Sequence, residues 1–208
     1  MKSSAIATRR LRAVESFGLA AEALGPITAG MSLFAVTRGQ WSMIDAVLYC
    51  LDEVGPAAVS LWTWTVAEYE VEVLSRLRMD NRVTDGRLVI DGGVRHKNAG
   101  LIREWQAAYG PASVRYVKNH AKIATIHSAE GLGLLLRESM NLNFNPRFEQ
   151  FDLTEGGADF VLVKSIEDCL PVLEDSASGA EVYQASKIGD AWTSDDLKPF
   201  RGLKVWQK

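Results

Sequence analysis

Three short segments near the middle of the chain carry polar residues whose types suit the binding of an anion. The segments contain, in order, His120 and Lys122, Ser139 and Asn141, and Arg147 and Glu149. Within each segment the two residues lie two positions apart, and side chains at that spacing on a strand point to the same face. If the segments are neighbours in the fold, their side chains converge on one place. Lys, Ser and Asn side chains all donate hydrogen bonds, which predicts a phosphate group as the bound anion.

The chemical meaning of this set comes from its order and spacing and not from any single member. A histidine two residues before a lysine is a frequent chance pair, and Ser-x-Asn is a common turn sequence. A carboxylate beside a histidine fixes the imidazole tautomer and raises its basicity, which is the role we expect of Glu149 toward His120. Trp64 is a further candidate, because it could stack on a base at the end of a strand. Packing in the core is the alternative interpretation of Trp64.

The elements that must position these residues alternate between strands and helices over the first half of the chain. The patterns predict helices over 5–24, 42–53, 66–79 and 97–109, and strands over 32–37, 57–65 and 87–91. Four strands then follow in quick succession, over 113–118, 121–127, 132–137 and 148–154, before a helix over 158–173. This order predicts an α/β fold with a mixed, largely parallel sheet flanked by helices.

We expect three regions along the chain: an N-terminal helix within residues 1–30, the domain that contains the sheet over 31–175, and a C-terminal tail over 176–208. The tail is rich in Ser, Gly and Asp and carries Tyr183, Trp192, Phe200 and Trp206. Two interpretations of the tail stay open. Either its aromatic residues dock on the body or on a partner protein, or the tail is disordered.

Charge and hydropathy limit the classes of partner. The net charge is −3, which argues against a protein that coats nucleic acid indiscriminately. Residues 80–147 hold ten Lys or Arg against six Asp or Glu, whereas residues 148–208 hold six against twelve. A positive middle suits the binding of one phosphate group, although a solvated mixed surface is an equal alternative. No apolar stretch approaches the length that spans a bilayer and no residues have convincing metal-ligand spacing, so we expect no membrane association and no metal.

At these residues the sequence resembles the phospholipase D superfamily, whose motif runs His-x-Lys-x4-Asp, then Gly-Ser-x-Asn, then an acidic residue. The resemblance covers residues 57–165 and is greatest to the small single-motif nuclease-like proteins of bacteria and phages. It implies a phospholipase D-like half-domain in which His120 is the nucleophile. It also implies that Lys122, Ser139 and Asn141 hold phosphate oxygens and that Glu149 orients His120. Two positions depart from the motif: His127 stands in place of its Asp, and Glu138 stands in place of its Gly.

Strand alternation predicts that both departures point away from the phosphate, since His127 has the opposite parity to His120 and Glu138 the opposite parity to Ser139. The sequence contains one His-x-Lys pair, whereas the family's chemistry uses two histidines, one that attacks and one that protonates the leaving group. The resemblance therefore implies a homodimer with one site shared across a twofold axis.

The function expected from this resemblance is metal-independent phosphodiester hydrolysis without a cofactor. We expect a nuclease that acts on DNA or RNA in a bacterial or prophage cytoplasm. A dimer that binds phosphate or nucleic acid with little or no turnover is the alternative, and His127 and Glu138 are the features that favour it. The single motif and the small size disfavour a lipid hydrolase.

Overall fold

An eight-stranded sheet forms the centre of the protein. The computed structural model describes residues 13–15, 19–142 and 147–187. The strands are β1 (Ala13–Glu15), β2 (Ser32–Thr37), β3 (Ala57–Thr63), β4 (Val83–Asp91), β5 (Val114–Val117), β6 (Ile123–Ser128), β7 (Gly133–Glu138) and β8 (Glu149–Glu155). Their order across the sheet is β1-β2-β8-β7-β6-β3-β4-β5. The last three strands of the chain thus lie between two strands of its first half.

The mixed α/β sheet flanked by helices is confirmed, but the expectation that the sheet is largely parallel is wrong. Parallel pairing is confined to β1 with β2, β3 with β4 and β4 with β5. The four other neighbouring pairs, from β2 through β8, β7 and β6 to β3, are antiparallel. A short connection joins β6 to β7, so these two strands form an antiparallel hairpin. A parallel arrangement would need a long crossover connection.

Six helices accompany the sheet in the described part of the chain: α1 (Ala20–Leu24), α2 (Met43–Val54), α3 (Glu68–Met79), α4 (Ala99–Tyr109), α5 (Gly157–Cys169) and α6 (Gly179–Ala185). Helix α2 begins where Ser42 and Asp45 form a capping box, with the Ser42 N–H donating to Asp45 Oδ2 at 2.7 Å. The main core combines buried residues of α2, α3 and α4 with one face of the strands. No helix in the described ranges combines the length and the apolar character needed to cross a membrane.

Helix α5 covers the other face of the sheet and is anchored there by a buried carboxylate. Glu167 is fully buried, and its Oε1 accepts hydrogen bonds from Trp62 Nε1 at 2.8 Å and Thr125 Oγ1 at 3.2 Å. Its other oxygen pairs with Lys164 Nζ at 2.6 Å. Because every oxygen of the carboxylate has a partner, this polar group ties α5 to β3 and β6 instead of destabilising the interface.

The two ends of the described chain differ from expectation. Residues 13–15 pair with β2 as a strand, and helix begins only at Ala20, so the predicted helix over 5–24 is wrong for 13–15. At the other end, residues 179–185 belong to the predicted tail, and they form the helix α6, which the sequence patterns did not predict. Its Val182 is buried in the core, and Ser186 Oγ accepts from the Lys118 N–H at 2.6 Å. Trp192, Phe200 and Trp206 lie outside the described residues, and the domain boundaries remain predictions.

Candidate active site at one edge of the sheet

The predicted site residues gather at one edge of the sheet. Strands β2, β3, β4, β5 and β7 end there, and β6 and β8 begin there, as the antiparallel registers of β6 with β3 and of β8 with β2 require. His120 and Lys122 directly precede β6, Ser139 and Asn141 follow β7, and Glu149 begins β8. These residues therefore lie at strand ends and not within the strands, where alternation was expected to orient them.

Asn119 holds the loop that carries His120 and Lys122. Its buried side-chain amide donates to the carbonyl oxygens of Thr63 at 3.0 Å, Val89 at 3.3 Å and Ala121 at 3.2 Å, and its Oδ1 accepts from the Ala121 N–H at 2.9 Å. The backbone N–H of Asn119 also donates to Asp91 Oδ2 at 3.0 Å. One side chain thus joins the loop to the ends of β3 and β4. Sequence reasoning missed this role, although an Asn next to a catalytic candidate at the end of a strand was an available signal.

Lys122 and His120 are in direct contact. The ammonium Nζ of Lys122 lies 3.2 Å from Nδ1 and 3.3 Å from Nε2 of the His120 ring, and it donates to the His120 carbonyl oxygen at 2.7 Å. Lys122 is buried while His120 is exposed. Burial lowers the pKa of Lys122, and the nearby Glu149 carboxylate opposes that shift by favouring the ammonium. A desolvated cation beside an accessible imidazole is suited to attract an anion to the ring.

Ser139 and Glu149 are brought together by the β7–β8 pairing. Ser139 Oγ donates to Glu149 Oε2 and accepts from the Gln150 N–H at 3.0 Å. The carboxylate of Glu149 is therefore engaged with Ser139, and its predicted role toward His120 remains a prediction. Asn141 follows on the same segment, and its Oδ1 is buried without a hydrogen-bond partner among the described residues. Such an oxygen can turn toward a ligand that donates a hydrogen bond, or the amide can be reversed to present its NH₂ group.

Glu138 immediately precedes Ser139, and its side chain is buried whereas that of Ser139 is exposed, as their opposite parity predicted. Its N–H donates to the Lys122 carbonyl oxygen at 3.0 Å, which extends the β6–β7 pairing by one residue. The Glu138 side chain is buried, and its Oε1 has no hydrogen-bond partner in the described part of the chain. Burial raises the pKa of Glu138 well above its ordinary value, and the Glu149 carboxylate raises it further. Both effects favour the neutral form of this carboxyl over the charged form.

The remaining candidates occupy the periphery. Arg147 is exposed just before β8, and Trp64, just after β3, is 42% exposed, so the core-packing interpretation of Trp64 is wrong. His127 faces α5, with its ring 6.0 Å from that of Phe160, and it pairs with Ala58 at the start of β3. It therefore lies near the opposite edge of the sheet. In the described ranges no three His, Cys, Asp or Glu side chains are grouped in a way that could hold a metal ion.

Comparison with known proteins returns similarities of structure only. No family model matches the sequence, and no curated protein matches it. Nuc from Salmonella typhimurium, a phospholipase D family member, is similar with a TM-score of 0.44 and 15% identity, over 66% of this chain and 89% of Nuc. A mutant of yeast tyrosyl-DNA phosphodiesterase is similar with a TM-score of 0.35 and 12% identity, over 65% of this chain and 36% of that one. At these values neither similarity assigns the chain to a family.

Proposed function

We propose that the protein is a metal-independent phosphodiesterase of the phospholipase D type, a nuclease whose site is shared by two subunits. The observation that carries the proposal is the contact of the buried Lys122 ammonium with the exposed His120 ring, 3.2 Å from Nδ1. A phosphodiester drawn to that ammonium lies against a nucleophilic nitrogen. Ser139, hydrogen-bonded to Glu149, and Asn141 border the same place and supply further polar groups for phosphate oxygens.

The proposed reaction has two steps. In the first, a ring nitrogen of His120 forms a bond to phosphorus while the bond from phosphorus to the leaving oxygen breaks, and His120 of the partner subunit gives that oxygen a proton. In the second, water attacks the same phosphorus, the nitrogen–phosphorus bond breaks, and the partner's His120 takes the proton from water. Lys122 stays charged throughout and offsets the negative charge on the phosphate oxygens.

The test is a plasmid-nicking assay in EDTA. The wild-type protein should cut, and His120→Ala should reduce the rate by at least about a hundredfold, since the nucleophile is removed. His127→Ala is the matched control, because this histidine lies near the far edge of the sheet, and it should cut at the wild-type rate. Equal cutting by His120→Ala, or cutting only after EDTA is removed, would contradict the proposal.

A binding protein with weak turnover is the second candidate, and Glu138 is the observation that favours it. Glu138 stands in place of the motif's Gly beside Ser139, and its side chain is buried, so this departure can impair turnover while the polar groups that would hold a phosphate remain. A wild-type protein that binds DNA but cleaves no DNA, RNA or bis(p-nitrophenyl) phosphate at any pH would establish this second function and exclude the first.

A further inference from the structure

Two exposed aromatic side chains flank the candidate active site. Phe148 is 70% exposed and immediately precedes Glu149, and Trp64 is 42% exposed and immediately follows Thr63. The neighbours of both residues belong to the site: Glu149 accepts from Ser139, and the Thr63 carbonyl accepts from Asn119. A large aromatic side chain left in water at the border of a polar site is suited to contact a ligand's flat apolar face.

The strand order sets the two aromatics on opposite sides of the catalytic residues. Phe148 precedes β8 and Trp64 follows β3, with β7 and β6 between those strands. Ser139 at the end of β7 and Lys122 at the start of β6 therefore lie between the two aromatic positions. Three steps between neighbouring strands separate those positions by roughly 14 Å along the edge.

This separation distinguishes single strands from duplexes. Neighbouring bases in a duplex are stacked about 3.4 Å apart, so bases that contact both aromatic positions around one phosphate must be unstacked from each other. Unstacking within a duplex is costly, whereas a single strand extends readily and stacks its bases on aromatic side chains. The spacing of the two rings thus favours an extended single strand.

Positive charge accompanies the aromatic residues. The Arg38 guanidinium lies 5.3 Å from the centre of the Phe148 ring, which is a cation–π contact. Arg147 lies next to Phe148, and the Lys122 ammonium lies between the two aromatic positions. Cations interspersed with exposed aromatics are the usual composition of a groove that binds single-stranded nucleic acid.

We propose that the substrate is a single-stranded nucleic acid whose bases on the two sides of the scissile phosphate stack on Trp64 and Phe148. The inference rests on the proposed function for the identity of the central phosphate. It adds the substrate class and assigns Phe148 a role that the motif residues do not include.

Binding is tested separately from cleavage with the His120→Ala protein. Fluorescence anisotropy would compare a labelled single-stranded oligonucleotide, its duplex, and a single strand of abasic residues that retains the phosphates but has no bases. We expect the base-containing single strand to bind at least about tenfold more tightly than either of the others. Adding Trp64→Ala or Phe148→Ala should weaken its binding about fivefold or more, and should leave binding of the abasic strand unchanged.

Matched variants separate stacking from other effects. Phe148→Trp should retain the affinity and Phe148→Leu should lose it, since only the first keeps an aromatic ring. Tyr183→Ala is the control, because Tyr183 is 54% exposed on α6 and does not flank the catalytic residues. Equal affinity for duplex and single strand, unchanged binding by both alanine variants, or an equal loss in Tyr183→Ala would each overturn the inference.

The other use of exposed aromatics is a contact between two copies of the chain. Light scattering on Trp64→Ala and Phe148→Ala decides this, because stacking on a ligand leaves the oligomeric state unchanged. Loss of dimers in these variants would overturn the inference in favour of a subunit interface. If plasmid nicking in EDTA is absent while aromatic-dependent binding persists, the proposed enzyme fails and the single-strand site stands. If nicking in EDTA occurs while binding does not depend on the two aromatic residues, the proposed enzyme stands and the single-strand site fails.

Discussion

Among single residues, Glu138 is a buried carboxyl next to Ser139 of the candidate site. Its pKa is raised by burial and by Glu149, so the folded protein holds this proton more tightly than the unfolded chain does. The stability contributed by a group with a raised pKa is complete below the ordinary value of 4.5 and is lost as the pH rises through the folded-state value. The stability that Glu138 contributes therefore falls as the pH rises above 4.5.

We expect Glu138→Gln to remove this pH dependence. Below the ordinary pKa of glutamate the variant and the wild type should melt at similar temperatures. As the pH rises, the variant should become the more stable protein, by more than about 1 kcal/mol, because its amide cannot ionise. Thermal melting across the pH range measures this difference. A gap between the two proteins that is the same at all pH values would contradict the assignment.

Asn119 holds the loop that carries His120 and Lys122. Asn119→Ala removes hydrogen bonds from a buried side chain to the carbonyl oxygens of Thr63, Val89 and Ala121. We expect a loss of roughly 2 kcal/mol in the free energy of unfolding, measured by urea denaturation, and a fall in phosphodiesterase kcat. Asn98→Ala is the control. Within the described ranges, the buried Asn98 side chain makes one hydrogen bond, from its amide to Thr65 Oγ1 at 3.2 Å. Equal losses in both variants would show that Asn119 has no special role.

At the scale of elements, the attachment of α5 depends on Glu167. Removing its carboxylate in Glu167→Ala leaves Trp62 Nε1 and Thr125 Oγ1 without an acceptor in a buried interface. We expect a loss of roughly 2–3 kcal/mol by urea denaturation. Glu167→Gln keeps an acceptor oxygen at the same place and should lose less. A Gln variant as unstable as the Ala variant would assign the effect to charge and not to these hydrogen bonds.

The docking of α6 depends on the absence of a side chain at Gly92. A Cβ at this position would lie 2.6 Å from Val182 Cγ1, so Gly92→Ala should displace α6. Hydrogen exchange should then become faster over residues 179–186 while the central strands keep their protection. Gly100→Ala on α4 is the control, because a Cβ there meets nothing within 4 Å, and alanine should stabilise the helix by about 0.5–1 kcal/mol. Unchanged exchange in α6 would contradict the contact.

At the scale of the whole molecule, a site shared by two subunits predicts an effect of mixing. Adding an excess of His120→Ala to the wild-type protein under conditions of subunit exchange should suppress nicking, because mixed dimers contain one histidine where the chemistry needs two. An excess of His127→Ala is the control and should not suppress it. Activity that stays proportional to the wild-type concentration would place a complete site within one chain.

Much of the fold follows from patterns that the sequence displays. The strand over 32–37 has the predicted bounds, and Ser42 begins α2 as the capping pattern indicates. What local patterns do not contain is the identity of each strand's neighbour. The insertion of β8 between β2 and β7 and the pairing of residues 13–15 with β2 are long-range contacts, and the helical pattern of residues 13–15 does not contain the second of them.

The geometry of the candidate site was predictable only in part. The spacing of His120 and Lys122 correctly brought their side chains together, although they lie in a loop and not on a strand. Alternation did turn the Glu138 side chain away from Ser139, since Glu138 is buried while Ser139 is exposed. What local patterns did not show is that β6 begins only at Ile123, so that His120 and Lys122 lie in the loop before it.

The pairing of β2 with β8 has a kinetic consequence. It joins the two halves of the chain, and the adjoining bond from the Gly30 N–H to Glu155 Oε2 spans 125 residues. Contacts between such distant residues form late, because the entropy of closing the loop must be overcome before the contact stabilises anything. The hairpin of β6 and β7, by contrast, closes locally. Since Glu149 pairs with Thr37 in the late-forming ladder, we expect the phosphate binding proposed for this site to appear only in the last stage of refolding.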